Sequence, residues 1–294
     1  MIMKTTLRLL ALLALVIVNL HASAQIFYKV EGNGLEKPSY LFGTHHLAPL
    51  SEFNSIPEAV AAFNEAETVV GELDMTDMMA VAQALQPYMM APQDSTLSKL
   101  YAPEKFERLS AEFSRWSGGV SLAMLDAMKP MVPNSMVAVA MIMDQLPDFN
   151  ANEQLDTYFQ LQGRQLGKKI VGLETAEQQG EYLYCSTSIA DQADALAETL
   201  ENPQKAIDGA RRLNQAYRDH DIEALLRETL AEEEKGAGFM AVILDHRNAD
   251  WLTKLPVLLK ESPSFVAVGA LHLVGDKGIV AGLRNLGYTV TPIK

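Results

Sequence analysis

Residues 265–272 read Phe-Val-Ala-Val-Gly-Ala-Leu-His, an apolar run that ends in a glycine with a histidine three positions later. Residues 40–46 read Tyr-Leu-Phe-Gly-Thr-His-His and repeat this arrangement near the other end of the chain. A strand that stops at a glycine lets the backbone turn tightly, so the residue beyond it projects from the edge of the sheet. Ligands bind at such strand ends in open α/β sheets. We therefore expect His46 and His272 to meet at one sheet edge.

The other strand signals alternate with helical patterns, which indicates an α/β fold with a mainly parallel sheet flanked by helices. The first two strands, at 26–30 and 39–42, are predicted to form a hairpin around the turn at 32–34. Further strands are predicted at 68–74, 170–174, 265–268 and 288–293.

Helix boundaries are predicted from capping and breaking residues. Ser55 and Glu58 form a predicted capping box, and Gly275 begins a last helix that Gly287 ends. An amphipathic helix is expected at 155–166, and another from about 238 to 255. The helical segment at 175–236 should break near 202–203 and near 219–221.

Strand signals vanish between about residues 75 and 150, which predicts a large helical insertion within a single domain spanning residues 25–294. Methionine is abundant there, and it both fills irregular cores and lines adaptable binding surfaces. An ordinary helical core is the favoured interpretation of this Met-rich insertion, and a binding surface is the alternative. The methionines concerned are Met75, Met78, Met79, Met89, Met90, Met124, Met128, Met131, Met136, Met141 and Met143.

The amino terminus predicts export. Lys4 and Arg8 precede an apolar run at 9–20, and residues 22–24 read Ala-Ser-Ala, a cleavage signal of small residues. We predict a signal peptide over residues 1–24, cleaved after Ala24, and a secreted or periplasmic protein. No later stretch approaches the roughly 20 apolar residues of a membrane span, so no stable span is expected in the mature form.

The net charge limits the classes of binding partner, and the cysteine content limits the sources of stability. The net charge is −13, and the predicted signal peptide carries only basic charges, so nucleic acid is an unfavourable partner. A peptide or a small molecule is the expected substrate. Cys185 is the only cysteine, so the chain forms no internal disulfide and relies on its hydrophobic core.

The two histidines that close the apolar runs suggest one shared metal ion. Divalent Zn, Mn and Co accept imidazole and carboxylate ligands together. His45 could replace His46 as the ligand, but neighbours on an extended chain point to opposite sides and the Gly-to-His spacing favours His46. The alternative is that one histidine caps a helix and the other packs in the core.

Two glutamates end predicted strands in the same way. A carboxylate of Glu72 at the end of the strand at 68–74 could bind the metal or act as general base on a metal-bound water. Glu174, at the end of the strand at 170–174, is a weaker candidate for the same roles. The structural alternative is a solvated acid at a strand end.

Arg247 lies on the apolar face of its predicted helix, at helical spacing from Met240, Leu244 and Trp251. A guanidinium in that position must be paired or point into a cleft. It either pairs with Glu72 or Glu174, or it stabilises charge on a substrate. Asn248 could support it.

Three blocks of the sequence resemble TraB/GumN proteins. The opening block spans 40–46 and 70–74, and the central block spans 155–156, 167–175 and Gln178. The carboxyl-terminal block comprises Arg247-Asn248 with Trp251, 265–272 and 287–290. The motif glycines are Gly43 and Gly269. The blocks occur in the family's order over nearly the whole chain beyond the predicted signal peptide.

The resemblance implies a chemistry. The wider family includes Tiki proteins, which are metal-dependent proteases with paired GxxH motifs, and it is related in fold to erythromycin esterase and the haem-binding ChaN proteins. By this resemblance His46 and His272 are the motif histidines and are expected to bind the metal. Glu72 is expected to be a ligand or general base, and Arg247 an electrostatic stabiliser. The expected activity is a divalent-metal hydrolase, most simply a peptidase.

Two other functions fit the same residues. A non-catalytic protein that binds a peptide, haem or a metal ion needs no general base. A metal-independent esterase-like enzyme would use a histidine as base with Glu72. Other hydrolase and nucleotide-binding motifs, such as HExxH, GxSxG and the Walker loop, are absent from the sequence.

Overall fold

The computed structural model describes residues 25–143, 150, 153–232 and 240–293. Its centre is a mixed sheet of six strands in the order β4-β3-β5-β2-β1-β6. β2 pairs in parallel with β5, β5 with β3 and β3 with β4, while β1 is antiparallel to both β2 and β6. The strands are β1 (Phe27–Gly32), β2 (Ser39–Thr44), β3 (Thr68–Gly71), β4 (Lys169–Gly172), β5 (Ser264–Gly269) and β6 (Tyr288–Pro292).

The predicted α/β fold is confirmed, and so is the opening hairpin, in which Phe27 of β1 lies opposite Phe42 of β2. The strands expected at 68–74 and 170–174 are shorter than predicted, since they end at Gly71 and Gly172. The acids Glu72 and Glu174 therefore lie in the loops after the strands.

Helices surround the sheet and form most of the described chain. They are α1 (Leu50–Asn54), α2 (Pro57–Glu65), α3 (Met78–Met89), α4 (Leu97–Leu100), α5 (Pro103–Trp116), α6 (Met131–Met143), α7 (Leu155–Gln165), α8 (Ala176–Cys185), α9 (Ile189–Glu201), α10 (Pro203–Arg218), α11 (Ile222–Glu232), α12 (Arg247–Glu261) and α13 (Ile279–Asn285). The predicted breaks near 202–203 and 219–221 are confirmed, because α10 begins at Pro203 and ends at Arg218.

Two predicted helix starts are wrong. Ser55 ends α1, and its hydroxyl donates to the Glu52 carbonyl. α2 begins at Pro57, whose fixed φ suits a first helical turn, after Ile56 with no side-chain cap. The last helix begins at Ile279, not at Gly275, because Gly275 adopts a positive φ of 81° and turns the chain first.

The main core packs helices against the sheet through aromatic rings. Phe159 of α7 lies 5.4 Å from Phe42 of β2 and 5.0 Å from Phe265 of β5, between ring centroids. Phe53 of α1 approaches Phe159 edge-on at 4.8 Å. Trp251 of α12 is fully buried in the same core. This core fixes the strands whose ends carry the candidate site.

A second core lies within the helical part of the molecule. Leu97, Phe113 and Met141 of the insertion share it with Leu196 and Ile207, which belong to α9 and α10. The Met-rich insertion therefore completes its core with helices that come much later in the chain.

The favoured interpretation of the methionines as an ordinary core is wrong for most of them. Of the eleven methionines named above, only Met141 is buried, and Met79 and Met124 are about three-quarters exposed, at 75% and 74%. α3 has no buried residue at all. The second core is built mainly from leucines, aromatic residues and alanines.

The predicted signal peptide lies outside the described residues, and the single-domain assignment stays a prediction. Within the ranges that the structure describes, none of the helices combines the length and apolar character needed to cross a membrane.

Candidate functional site

The parallel strands bring the candidate residues to one edge of the sheet. Thr44, at the end of β2, lies opposite Gly269, at the end of β5. Gly71 of β3 lies opposite Gly172 of β4. Both motif histidines and both glutamates thus follow the carboxyl ends of neighbouring parallel strands. This is the edge at which ligands bind in open α/β sheets.

The motif glycines serve close packing and not tight turning. Neither has a positive φ, and Gly43 lies inside β2. A Cβ on Gly43 would stand 2.9 Å from the Cα of Ala270, in the 3₁₀ turn Ala270–His272 that carries the second motif histidine. A Cβ on Gly269 would stand 3.2 Å from Oε1 of Glu72. The two motifs are packed directly against each other.

Arg247 is the centre of the site. Its Nε and Nη2 donate to the two oxygens of Glu174 at 3.0 and 2.6 Å, and Nη2 also donates to Oε2 of Glu72 at 2.6 Å. Nη1 donates to the Ile243 carbonyl and lies 3.2 Å from Nε2 of His272. A guanidinium has five N–H groups, and these contacts use all five. The side chain pairs with both glutamates at once.

Glu72 is held ionised. Oε1 accepts the backbone N–H of Gly269 at 2.8 Å, while Oε2 accepts from Arg247. Burial alone would raise the pKa of this carboxyl, but His272, Arg247 and the Gly269 N–H outweigh burial and lower the pKa to about 2.

His272 is buried and oriented by Asn248. The amide nitrogen of Asn248 donates to the Lys277 carbonyl, so its Oδ1 faces Nδ1 of His272 at 2.7 Å. We therefore assign the proton to Nδ1, so that the lone pair on Nε2 accepts from Nη1 of Arg247. The Trp251 ring packs against the imidazole at 4.4 Å between centroids. Burial, aided by Arg247, lowers the pKa of His272 to about 4.

His46 has a different partner, Asp156, at the start of α7. Nδ1 of His46 lies 3.3 Å from Oδ2 of Asp156, although the two are not aligned for a hydrogen bond. The other oxygen of Asp156 accepts from the Thr44 hydroxyl at 2.6 Å. Asp156 raises the pKa of His46 to about 9, and the side chain is 79% exposed, so water screens part of that attraction. The charges of Glu72 and Arg247 act on His46 as well.

His45 has contacts of its own in the turn after β2, where the chain is no longer extended. Its Nδ1 accepts the Leu47 N–H at 3.4 Å, and its ring meets the Tyr217 ring edge-on at 5.2 Å. Its buried Nε2 has no hydrogen-bond partner among the described residues. Burial lowers the pKa of His45 to about 4.

A π-helical segment, Ala241–His246, positions Arg247 and Asn248. The predicted helix from about 238 is thus π-helical before Arg247 and α-helical after it, while residues 233–239 lie outside the described chain. In a π-helix the backbone hydrogen bonds join residues five positions apart. Within this segment the Ile243 carbonyl also accepts from the Arg247 side chain. Such segments are frequent at functional sites.

The structure brings together Glu72, Glu174, Arg247, Asn248 and His272 through direct contacts. His46 lies in the same electrostatic neighbourhood, because its charge acts on His272 and on Glu72. Sequence reasoning missed the contribution of Asp156. Its signal was present, since Asp156 is part of the central TraB/GumN-like block and stands in the first turn of a predicted helix.

The donor chemistry of the site suits a divalent metal at two adjacent atoms. Nε2 of His272 and Oε1 of Glu72 lie 3.7 Å apart, which two ligands of one ion can span at about 2.0–2.2 Å each. Across the described residues, no group of three or more His, Cys, Asp or Glu side chains is arranged to hold a metal ion. His46 is the third donor that a shared site would need.

Sequence comparison identifies the family. The chain matches the TraB/PrgY/gumN family over residues 26–292, and it belongs to that family. The resemblance found in the three sequence blocks is thereby confirmed.

Similar curated proteins carry the name metalloprotease. Metalloprotease TIKI1 of Xenopus tropicalis is 23% identical in an alignment of 306 positions that covers 87% of this chain and 59% of that protein. Metalloprotease TIKI2 of Xenopus tropicalis and of Danio rerio are each 23% identical over 86% of this chain. The chain spans less than three-fifths of the length of these relatives, 57–59%. No solved structure gives a significant match.

Proposed function

We propose that this chain is a divalent-metal-dependent hydrolase, a peptidase in the first instance, that works outside the cytoplasm after removal of residues 1–24. The similarity to proteins named metalloproteases supports the reaction class. In this proposal His46 and His272 are metal ligands, Glu72 is a third ligand, and Arg247 stabilises the site electrostatically.

One observation carries the proposal: Asp156 and Asn248 each face Nδ1 of one motif histidine. Histidines that bind metals present one ring nitrogen to the ion and direct the other toward a carboxylate or carbonyl. In the proposed site each ring would present Nε2 to the ion, and at His272 the ion would replace Nη1 of Arg247 at that lone pair. A helix cap or a core histidine requires no such matched pair of partners.

The electrostatics favour Glu72 as a ligand over Glu72 as a general base. A base works best when its pKa is close to the operating pH, and a pKa of about 2 is far below it. A permanently ionised carboxylate next to a neutral imidazole is a suitable ligand pair for Mn, Co or Zn. When bound, the metal would supply Lewis-acid polarisation and an activated water.

The chain's own residues hold this arrangement in place. Arg247 fixes Glu72 against Glu174, and Gln179 donates to Glu174 at 3.0 Å from behind. Four N–H groups of Arg247 bond to Glu72, Glu174 and the Ile243 carbonyl, so its proposed contribution is to hold the Glu72 carboxylate and to place positive charge at the site. The Trp251 ring keeps water from the buried side of His272.

Metal content tests the proposal most directly. Purified wild-type protein should contain close to one equivalent of Mn, Co or Zn by elemental analysis, and His46→Ala and His272→Ala should each lose most of it. His246→Ala is the matched control, since His246 is exposed and adjoins the same helix. Peptide hydrolysis that survives exhaustive chelation would contradict the proposal and favour the metal-independent esterase-like enzyme.

A non-catalytic binding protein for a peptide, haem or a metal ion is the second candidate. The exposed methionines of the insertion favour it, because flexible thioethers line adaptable surfaces. Glu72→Gln separates the two functions: binding of a peptide should survive in a binding protein, whereas turnover should fall in a hydrolase. We also propose, from the family resemblance, that the fold is related to the folds of erythromycin esterase and the ChaN proteins.

A further inference from the structure

A cavity of about 450 Å³ opens beside the candidate site, between α3 and the segments that follow β3 and β4. Its lining is apolar in one part and acidic in another. The residues are Leu73, Asp74, Ala80, Val81, Ala84, Gly172, Glu174, Thr175, Ala176 and Glu177. No lysine, arginine or histidine is among them.

The cavity adjoins the catalytic candidates through the chain itself. Leu73 follows Glu72 directly, and Glu174 both lines the cavity and holds Arg247. A peptide that lies across the strand ends with one bond at Glu72 therefore has a neighbouring side chain in reach of this cavity.

The described part of the chain neutralises only some of the negative charge of the cavity. Arg247 compensates Glu174, but Asp74 and Glu177 are exposed and form no ion pair within the described residues. Asp74 accepts only from the backbone and hydroxyl of Thr76. Two cations nearby are directed elsewhere: Arg164 donates to the Thr76 carbonyl, and Lys254 donates to the Leu173 carbonyl and to Asp250.

We propose that this cavity is the subsite for a basic side chain, lysine or arginine, of a peptide substrate. Such side chains pack a hydrocarbon stem against apolar surface and keep the charged end in water. Leu73, Val81 and Ala84 would contact the stem, while Asp74 and Glu177 would meet the cation. The inference rests on the proposed function in taking a peptide as substrate, and it adds the class of residue that the peptide presents.

The wall formed by α3 can adapt to its occupant. α3 packs along α8, where Tyr88 lies against Gly180, but none of its residues is buried and Pro87 interrupts its backbone hydrogen bonds. Met78 and Met79 at its start are 53% and 75% exposed. A lysine and the longer arginine can then share one subsite.

Peptide binding without turnover tests the subsite. The probes are three fluorescein-labelled peptides that are identical except for a central lysine, norleucine or glutamate, and the Kd of each is measured by anisotropy on the full chain in chelator. The lysine peptide should bind about fivefold or more tightly than the norleucine peptide and more tightly still than the glutamate peptide, and salt should reduce the difference.

Paired substitutions test whether Asp74 and Glu177 cause the tighter binding of the lysine peptide. Asp74→Asn with Glu177→Gln should abolish the difference between the lysine and norleucine peptides. Asp94→Asn with Glu181→Gln removes the same charge at exposed positions that do not line the cavity, and it should leave the difference intact. Asp74→Lys with Glu177→Lys should reverse the order, so that the glutamate peptide binds best.

Equal affinity for the three peptides, an equal loss in the control pair, or no binding at millimolar peptide would each overturn the subsite. The outcome is separable from that of the proposed function. A lysine preference in a protein that hydrolyses nothing supports the subsite and refutes the hydrolase, whereas hydrolysis without preference does the reverse.

Discussion

Asp156 links the end of β2 to the first motif histidine. Its carboxylate accepts from Thr44 and lies beside Nδ1 of His46, whose ring is otherwise exposed to solvent. Without the attraction of Asp156 the exposed imidazole would occupy several rotamers, because nothing else described here holds it in one. We therefore expect Asp156 to position His46.

Asp156→Asn should weaken metal binding by about 10- to 100-fold, the range found when an outer partner of a ligand histidine is removed. The measurements are the metal Kd and, in metal-free protein, the pKa of His46 by NMR, which should fall from about 9 toward its ordinary value. Asp94→Asn, on the exposed surface of the insertion, is the control. An unchanged Kd together with an unchanged pKa would show that Asp156 does not position His46.

The buried neutral histidines predict an acid-sensitive fold. His45 and His272 titrate near 4 in the folded chain and near 6.5 when unfolded, so the unfolded chain binds more protons between these values. The free energy of unfolding of metal-free protein should therefore fall as pH drops from about 6.5 to about 4, by on the order of 2 kcal/mol for each histidine. Urea unfolding at a series of pH values measures the slope.

His45→Gln should reduce this slope to the contribution of His272. His246→Gln, an exposed control, should leave the slope unchanged. A wild-type slope of zero over that window would mean that neither imidazole is kept neutral by burial.

At the scale of elements, the sequence predicted which strands and loops supply the site but not why the glycines are there. The apolar runs before both motif histidines are strands, β2 and β5, as the GxxH spacing predicted. The reason for Gly43 is a contact between β2 and the turn after β5, more than 220 residues later, and no local pattern reveals such a contact. The same limit explains the wrong capping prediction at Ser55, where a short preceding helix took that residue as its end.

Gly43→Ala should disturb both motifs at once. The added Cβ would meet backbone at 2.9 Å, so the turn that carries His272 must shift, at a cost of about 1–3 kcal/mol in stability. Metal affinity should fall along with the melting temperature.

Gly180→Ala is the matched comparison, because its Cβ would crowd the Tyr88 ring at 2.8 Å in the helical part of the molecule. That variant should change stability without changing metal affinity. If both variants bind metal like the wild type, the close packing of the two motifs has no functional role.

At the scale of the whole molecule, the alternation of strands and helices predicted the fold class. The exposed positions of the methionines were not predicted. Hydrophobicity predicted a core from residues that the structure leaves exposed. The second core instead joins α5 and α6 to α9 and α10, and such a pairing of distant helices cannot be read from composition.

Mild oxidation should distinguish the two classes of methionine. Hydrogen peroxide should convert Met79 and Met124 to sulfoxides first and leave Met141 until the protein unfolds, because exposure controls access to the thioether. Peptide mapping by mass spectrometry gives the order, and circular dichroism should show an intact fold after the early events. Early oxidation of Met141 would contradict the described second core.

The position of β5 has a consequence for biosynthesis. β5 lies between β3 and β2, so the two halves of the sheet meet only through a strand that is made near the end of translation. Arg247 and His272 arrive on the same late segment and complete a centre whose other members, Glu72 and Glu174, were made long before. A nascent or truncated chain that lacks this segment has neither a continuous six-stranded sheet nor the contacts around Arg247. The candidate site is therefore complete only after the segment from Arg247 to His272 has been synthesised.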